Sequence, residues 1–382
     1  MSAYTSPWMN DDLAIFRKSV RQLLRAEFLP HEDRWRAQHH IDREAWLKAG
    51  QAGFLLADVP EEYGGGGGTF AYTAVVLEEL GYAPVTSFGC SVQEIVAHYV
   101  LAYGSETQRR AWLPRMAAGE MVGAIGMTEP GAGSDLQGIK TTARREGDHY
   151  VIDGSKTFIT NGWHADLICL AVKTDPTQRG ARAISLIMVE TKDLAGYRVG
   201  RTLEKIGQHG QDTCELFFDG VRVPAANLLG SIEGQGFAQM MEQLPYERLL
   251  IAVSAVATME LAVDITTQYA KDRKLFGGTL MNLQHTRFAL AECKTEAHIG
   301  RVFLDSCIER LMAGTLDTAT ASMAKWWLTD KQCAIADACL QLHGGYGYMV
   351  EYPIARIWAD SRVQRIYAGA NEIMKELVAR SL

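Results

Sequence analysis

The chain has 382 residues, which is enough for two or three domains with separate hydrophobic cores. Apolar residues make up 47% and charged residues 22% of the sequence, so neither disorder nor a coiled coil is expected as the main state. The formal net charge is −7 and no run of Lys and Arg stands out, which argues against a nucleic-acid-binding surface.

The sequence shows no recognisable targeting or membrane-spanning segment. The first residues, MSAYTSPWMNDDLAIFRK, lack the basic and then apolar regions of a signal peptide. No run of about 18 apolar residues is free of charges, so neither a transmembrane helix nor stable membrane insertion is expected. The 7 Cys are odd in number and form no Cys-x-x-Cys pair, which favours reduced thiols in a cytoplasmic protein and no metal site.

The first third of the chain has the periodicity of helices. Asp11 and Asp12 precede an apolar stripe that runs to Leu24, and further stripes cover 44–56, 70–80 and 91–103. The run Gly64–Gly68 must be a loop, but no strand precedes it and no Lys-Ser/Thr follows it, so it is not a phosphate-binding loop. We predict an N-terminal helical domain over residues 1–122.

The pattern changes at about residue 123. Segment 141–160 alternates between turn signals, and short apolar runs follow at 168–172, 184–190 and 214–218. These patterns predict a middle β domain, a barrel or sandwich, over residues 123–231.

Helical periodicity returns after Gly236. Residues 247–273 contain neither Gly nor Pro, two more long helices are predicted at 283–312 and 319–343, and a fourth begins near Asn371. We predict a C-terminal four-helix bundle over residues 232–382, and therefore an α+β multidomain protein.

Three glycine-containing segments could carry chemistry. Gly126–Asp135 (GMTEPGAGSD) suits a flat polar ring or a phosphate, although it could be a plain surface connection. Gln341–Tyr348 (QLHGGYGY) could be only a helix end. Tyr367–Ile373 (YAGANEI) opens the last helix, where free N–H groups bind an anion or a carbonyl, or are simply capped.

Further segments occur in a specific order along the chain: Pro60–Gly65 (PEEYGG), Phe158–Gly162 (FITNG), Phe218–Pro224 (FDGVRVP), and Arg273–Gly277 (RKLFG) followed by Gln284. Together with the three glycine-containing segments, they resemble the acyl-CoA dehydrogenase family over almost the whole chain. Segments 245–273 and 303–382 are most similar to the long-chain type.

The resemblance implies an N-terminal helical domain, a middle β domain and a C-terminal bundle, which the periodicity predicts separately. It implies an oxidoreductase of fatty acid β-oxidation that binds FAD and converts an acyl-CoA to its trans-2-enoyl-CoA. The flavin N5 would accept the hydride, and the electrons would pass to electron-transferring flavoprotein. It also implies a homotetramer built as a dimer of dimers.

The resemblance assigns residue roles position by position. The residues expected to contact FAD are Ile125, Met127, Thr128, Ser134, Phe158, Ile159, Thr160, Arg273, Phe276, Gln284, Gln341, Leu342, Gly344, Gly345, Ala370, Asn371 and Glu372. Among them, Phe158 would stack on the ring, and Arg273 and Gln284 would reach the FAD of a neighbouring subunit. The residues expected to contact the substrate are Ser134, Tyr246, Arg248 and Gly369. Ala370 stands where Thr is common, so one hydroxyl contact is in doubt.

The catalytic base is the main departure from the family pattern. Many short- and medium-chain members carry it just before the Gly of the last turn, where this sequence has Ala368. Long-chain and isovaleryl types carry it at the start of the first bundle helix, where the match is Glu247. A glutamate there could instead serve only the helix dipole. We expect Glu247 to be the base and the backbone N–H of Ala368 to polarise the thioester.

Two alternatives remain open. A flavin oxidase or monooxygenase of the same fold would differ in oxygen access to the flavin, which the sequence does not reveal. A non-catalytic scaffold that binds acyl-CoA or FAD would have lost its base, and the presence of Glu247 argues against that.

Overall fold

The computed structural model describes residues 4–175, 177–178 and 180–382. Within these residues a helical part is followed by a β-sheet part and a second helical part. The predicted fold class is confirmed, whereas the exact domain limits stay a prediction.

The N-terminal part consists of short helices packed around aromatic residues. Asn10 caps the first helix by accepting a hydrogen bond from the Leu13 N–H at 2.9 Å. Ser105 and Gln108 form a capping box at the start of the last helix of this part. The helices are α1 (Asp11–Leu23), α2 (Glu32–Gln38), α3 (Arg43–Gln51), α4 (Phe70–Tyr82), α5 (Cys90–Tyr103) and α6 (Glu106–Ala117).

Seven strands of the described chain form one sheet in the middle part. Its order is β1-β4-β2-β3-β7-β6, with β5 paired to the second edge of β4. The β1–β4 pair is parallel, and the long β3–β7 pair is antiparallel. The strands are β1 (Gly123–Gly126), β2 (Thr142–Glu146), β3 (His149–Thr160), β4 (Leu167–Lys173), β5 (Ile184–Glu190), β6 (Tyr197–Thr202) and β7 (Thr213–Pro224).

The C-terminal part is built on three long helices and two short ones. The helices are α7 (Gly236–Asp272), α8 (Gln284–Met312), α9 (Thr318–His343), α10 (Pro353–Ser361) and α11 (Asn371–Ala379). A small hairpin, β8 (Lys274–Leu275) and β9 (Gly278–Thr279), joins α7 to α8. The predicted fourth helix begins at the expected residue but is much shorter than the other three.

The first bundle helix begins eleven residues earlier than its predicted start at 247. It passes through Pro245, which lacks the N–H that an interior helical position normally donates. Residues on both sides of the proline are buried, including Met240 and Tyr246. Burial of this apolar face offsets the missing hydrogen bond, so the helix is not interrupted.

Helix α7 is long and apolar enough to cross a membrane when judged by length and composition alone. Its most apolar 18-residue window has a mean hydropathy of 1.8, and 61% of that window is buried inside the protein. The helix packs against α4, α8 and α9. Its apolar character is therefore that of a core helix.

A buried charge network joins the N-terminal helices to the bundle. Arg301 on α8 forms ion pairs with Glu78 on α4 and, at 2.7 Å, with Glu260 on α7. Burial disfavours the guanidinium, but the carboxylates of Glu78 and Glu260 outweigh it and raise the pKa of Arg301. Trp8 and Asp305 extend the network through a 2.8 Å hydrogen bond. The two helical parts are thus held together electrostatically beside their shared apolar core.

Candidate functional site

Glu247 lies in the interior, where α7 meets α5. Its side chain is buried, and its Oε1 accepts a hydrogen bond from the hydroxyl of Tyr99 at 2.8 Å. Burial raises the pKa of Glu247 to about 7, although the Tyr99 hydrogen bond and the nearby Arg248 both lower it. A carboxylate with this pKa is a stronger base than an exposed glutamate, and half of it is ionised near neutral pH.

The turn that contains Ala368 has an unusual backbone. Ala368 has a φ of +49°, and Gly369 follows with a φ of +90°. Only a few per cent of residues other than glycine adopt this left-handed conformation. In the described chain, no protein acceptor takes the N–H of Ala368. The turn therefore offers a free donor where a carbonyl oxygen could bind.

A lysine that is not among the predicted site residues supports this turn from α9. Lys325 is fully buried, and its Nζ donates to the Gly369 carbonyl at 2.7 Å and to Asn371 Oδ1 at 2.9 Å. Burial, followed by repulsion from Arg248, lowers the pKa of Lys325 to about 7. In the sequence, Lys325 is the only charged residue of the mostly apolar stretch 321–328, and this pattern could have indicated a buried lysine.

The loop after β1 is fixed by a buried ion pair. Glu129 accepts hydrogen bonds from Lys156 Nζ at 2.8 Å and from the N–H of Thr141 at 3.0 Å. The N–H of Thr157 donates to the carbonyl of Thr128 at 2.9 Å. These contacts hold Ile125, Met127 and Thr128 half-buried and leave Ser134 exposed. Glu129 and Lys156 were not among the predicted residues, although Glu129 lies within the predicted loop.

Phe158 stands out from the sheet next to this loop. Its φ is +59°, and 66% of its surface is exposed. The pairing of β3 with β7 shifts register between Lys156 and Ile159, and this bulge turns Phe158 outward while Ile159 is buried. Only the backbone of Ile159 could therefore contact a bound ring. An exposed aromatic ring on a strained backbone is typical of a binding position.

Several other residues predicted to contact FAD lie together near the C-terminal ends of α7 and α9. An open depression of about 550 Å³ is lined by Arg273, Gln341, Leu342, Gly344 and Gly345, among others. The guanidinium of Arg273 lies 5.3 Å from the ring centre of Tyr346. Phe276 is 92% exposed, and Gln284 at the start of α8 is also exposed. These residues face outward, as contacts to a neighbouring subunit would require.

Three predicted contacts, Tyr246, Arg248 and Asn371, have side chains that are hydrogen-bonded inside the protein, and their roles stay predictions. The hydroxyl of Tyr246 donates to Asp58 at 3.1 Å, and Arg248 donates to Ser322 at 3.0 Å. The amide of Asn371 donates to Thr329 at 3.0 Å and accepts from Lys325. Arg248 keeps one buried donor, Nε, without a partner. Ala370 and Glu372 lie at the start of α11 beside the turn.

The sequence matches three domains of a single family in order. It matches the acyl-CoA dehydrogenase N-terminal domain over residues 10–120, the middle domain over 124–221 and the C-terminal domain over 234–382. The mitochondrial long-chain specific acyl-CoA dehydrogenase of Sus scrofa is 47% identical over 370 residues, which cover 96% of this chain and 86% of the relative.

Solved structures give the same result. An acyl-CoA dehydrogenase from Geobacillus kaustophilus superposes with a TM-score of 0.96 at 47% identity and covers 99% of both chains. A chain from a structure concerned with the electron-transferring flavoprotein of Acidaminococcus fermentans superposes with a TM-score of 0.92 at 32% identity, again over 99% of both chains.

Proposed function

The chain belongs to the acyl-CoA dehydrogenase family, and from that premise we propose that Glu247 is the base that removes the α-proton of its acyl-CoA substrate. The protein is an FAD-dependent oxidoreductase that dehydrogenates acyl-CoA and passes electrons to electron-transferring flavoprotein. Fatty acid oxidation is the process in which it acts.

One observation carries the assignment of the base. Glu247 is buried, bonded to Tyr99 and has a pKa of about 7, while the Ala368 turn has no carboxylate. The α-proton of a thioester is weakly acidic, so its removal needs a basic carboxylate and a donor for the developing negative oxygen. Glu247 supplies the first, and the free N–H of Ala368 supplies the second.

The chain offers two sets of residues that fit FAD. The exposed ring of Phe158 and the loop held by Glu129 and Lys156 suit a flat ring, and the depression around Arg273 suits an anionic cofactor segment. FAD, when bound, accepts the hydride that leaves the β-carbon. The protein orients the thioester, excludes water from the base and takes up the α-proton on the Glu247 carboxylate.

Anaerobic titration of the purified protein with a series of acyl-CoA thioesters tests this function. We expect loss of flavin absorbance and formation of enoyl-CoA with an artificial acceptor. We propose that straight chains of eight or more carbons react faster than isovaleryl-CoA, since the relative at 47% identity is long-chain specific. A higher rate with isovaleryl-CoA would contradict the chain-length proposal, and no bleaching by any thioester would contradict the role of Glu247 as the base in acyl-CoA dehydrogenation.

Tyr99→Phe should shift the pH dependence of flavin reduction. The Tyr99 hydrogen bond lowers the pKa of Glu247, so its loss raises that pKa and decreases the ionised fraction below neutral pH. We expect a loss of up to about tenfold below pH 7 and recovery near pH 9. Tyr103→Phe is the matched control, because Tyr103 makes the same bond to the surface carboxylate of Glu242. A uniform loss at all pH values would show a merely structural role.

We also propose a cytoplasmic homotetramer arranged as a dimer of dimers. The outward position of Arg273, Phe276 and Gln284 supports a role for these residues at a subunit boundary. Arg273→Ala should therefore lower the FAD content below one per chain and weaken assembly, since a guanidinium fork matches a pyrophosphate. Flavin absorbance and light scattering measure both, with Lys271→Ala as the control. Full FAD occupancy in an unchanged tetramer would refute this role.

A further inference from the structure

Three side chains that can bind a metal ion converge behind the predicted base. Asp58, Glu94 and His98 each offer one ligand atom, and these atoms all lie within 4.8 Å of one another. Glu94 and His98 are one turn apart on α5, and Asp58 lies in the loop that precedes Tyr63. Residues 58 and 94 lie too far apart in the chain to form a recognisable metal-binding motif in the sequence.

The cluster contains a buried acceptor that has no partner. Glu94 is 2% exposed, and its Oε1 accepts a hydrogen bond from the Leu56 N–H at 2.9 Å. Its Oε2 is buried without a hydrogen bond. Across the described residues, neither Glu94 nor Asp58 forms an ion pair with Lys or Arg. Burial and the neighbouring Asp58 raise the pKa of Glu94 well above its usual value, and Asp58 pairs with His98 at 3.0 Å, so a cation bound here would take the place of a proton in the cluster.

The distances between the three side chains are compatible with a shared cation. Ligand atoms bound at about 2.1 Å from a metal are separated by roughly 3.0 to 4.2 Å. Asp58 Oδ1 and His98 Nε2 are 3.0 Å apart, and the full set stays within the 4.8 Å limit. The described contacts of Glu94 include no hydrogen bond to Asp58, so Oε2 is available as a ligand atom once its proton leaves.

Neighbouring groups already orient these side chains. The Tyr246 hydroxyl donates to Asp58 Oδ2 at 3.1 Å, which leaves Oδ1 directed to the cluster. The Tyr246 ring stacks on His98 with a centroid distance of 3.9 Å. Such outer contacts are typical of metal sites, where they fix the ligand orientation. The side chain of His98 is 18% exposed, which gives an ion a route of entry.

We propose that Asp58, Glu94 and His98 bind one divalent transition-metal cation. A histidine nitrogen with two carboxylate oxygens is a ligand set that suits Zn²⁺ or Mn²⁺. The bound ion joins the Asp58 loop to α5 and, through Tyr246, to the turn of α7 that carries Glu247. Its role is structural, and the site exists whether or not Glu247 is the catalytic base.

Metal binding by the FAD-loaded enzyme tests this site. After dialysis against a chelator and then buffer, Mn²⁺ is titrated and the free ion is followed by electron paramagnetic resonance. We expect one Mn²⁺ per chain with micromolar affinity, and a rise in Tm of at least roughly 3 °C on addition of Zn²⁺. Glu94→Gln should weaken Mn²⁺ binding at least tenfold. Glu204→Gln, at an exposed carboxylate, should bind like the unaltered protein.

The results that support the metal site differ from those that overturn it. Stoichiometric uptake that is lost in Glu94→Gln and kept in Glu204→Gln supports the site. No uptake by the unaltered enzyme, or equal uptake by Glu94→Gln, overturns it. If Glu94→Gln fails to fold, His98→Gln takes its place. The absence of Mn²⁺ binding by the unaltered enzyme would be sufficient to reject the site. Activity is not the readout, so failure of the base assignment would leave this result unaffected.

Discussion

Glu247→Gln is expected to slow anaerobic flavin reduction by acyl-CoA by at least about 10²- to 10⁴-fold, the usual contribution of a positioned base. Glutamine has nearly the same size as glutamate and can still accept the Tyr99 hydrogen bond, so the fold, FAD content and acyl-CoA binding should be retained. What is lost is the carboxylate whose pKa burial raises to about 7. Stopped-flow absorbance of the flavin measures the rate.

Glu242→Gln provides a matched control for this change. Glu242 lies on the same helix and also accepts a hydrogen bond from a tyrosine of α5, Tyr103, at 2.7 Å, but it lies at the surface. We expect its rate to stay within a factor of two or so of the unaltered enzyme, because surface substitutions have small effects. If Glu247→Gln reduces flavin as fast as Glu242→Gln, another residue is the base.

Moving the catalytic carboxylate from position 247 to position 368 should restore part of the flavin-reduction activity that Glu247→Ala loses. The double variant Glu247→Ala, Ala368→Glu places the acid on a turn that already has a φ of +49° with an L-residue, so glutamate adds little backbone strain there. The donor N–H belongs to the backbone and survives the change. We expect the double variant to exceed Glu247→Ala alone by at least about tenfold. Equal rates would mean that the turn does not face the α-carbon.

Arg301→Met is expected to cause the largest loss of stability. Its guanidinium is 6% exposed and pairs with Glu78, which is 1% exposed, and with Glu260. The substitution leaves Glu260 without its arginine partner and Glu78 with Arg17 alone, and breaking a buried ion pair typically costs about 3–5 kcal/mol. The free energy of unfolding should fall by that amount, with a lower Tm measured at constant FAD concentration.

Arg380→Met is the control for that loss. Arg380 pairs with Glu376 on α11 at 2.9 Å, but both side chains are more than half exposed, 69% and 56%. Exposed pairs contribute about 0–1 kcal/mol, so Tm should barely change. Similar losses in the two variants would mean that the Arg301 network does not stabilise the contact between the N-terminal helices and the bundle.

The places of the short motifs in the fold were predictable from the sequence, because each motif consists of residues that are adjacent in the chain. The loop Gly126–Asp135, the outward Phe158 and the turn at Ala368 lie where their motifs indicated. The roles of Tyr246 and Arg248 could not be judged in this way. Adjacent residues on a helix point in directions about 100° apart, so the neighbours of Glu247 in sequence face other parts of the interior.

The sequence by itself determined the order of helical and β parts and the family, and it predicts Glu247 rather than Ala368 as the base, since periodicity and motifs depend on residues close together in the chain. The tertiary structure alone decided that Tyr99 bonds to Glu247 across 148 residues, that Lys325 supports the Ala368 turn, and that Asp58 meets Glu94 and His98. It also decided the pKa of Glu247, because desolvation depends on what packs around a carboxylate once the chain has folded.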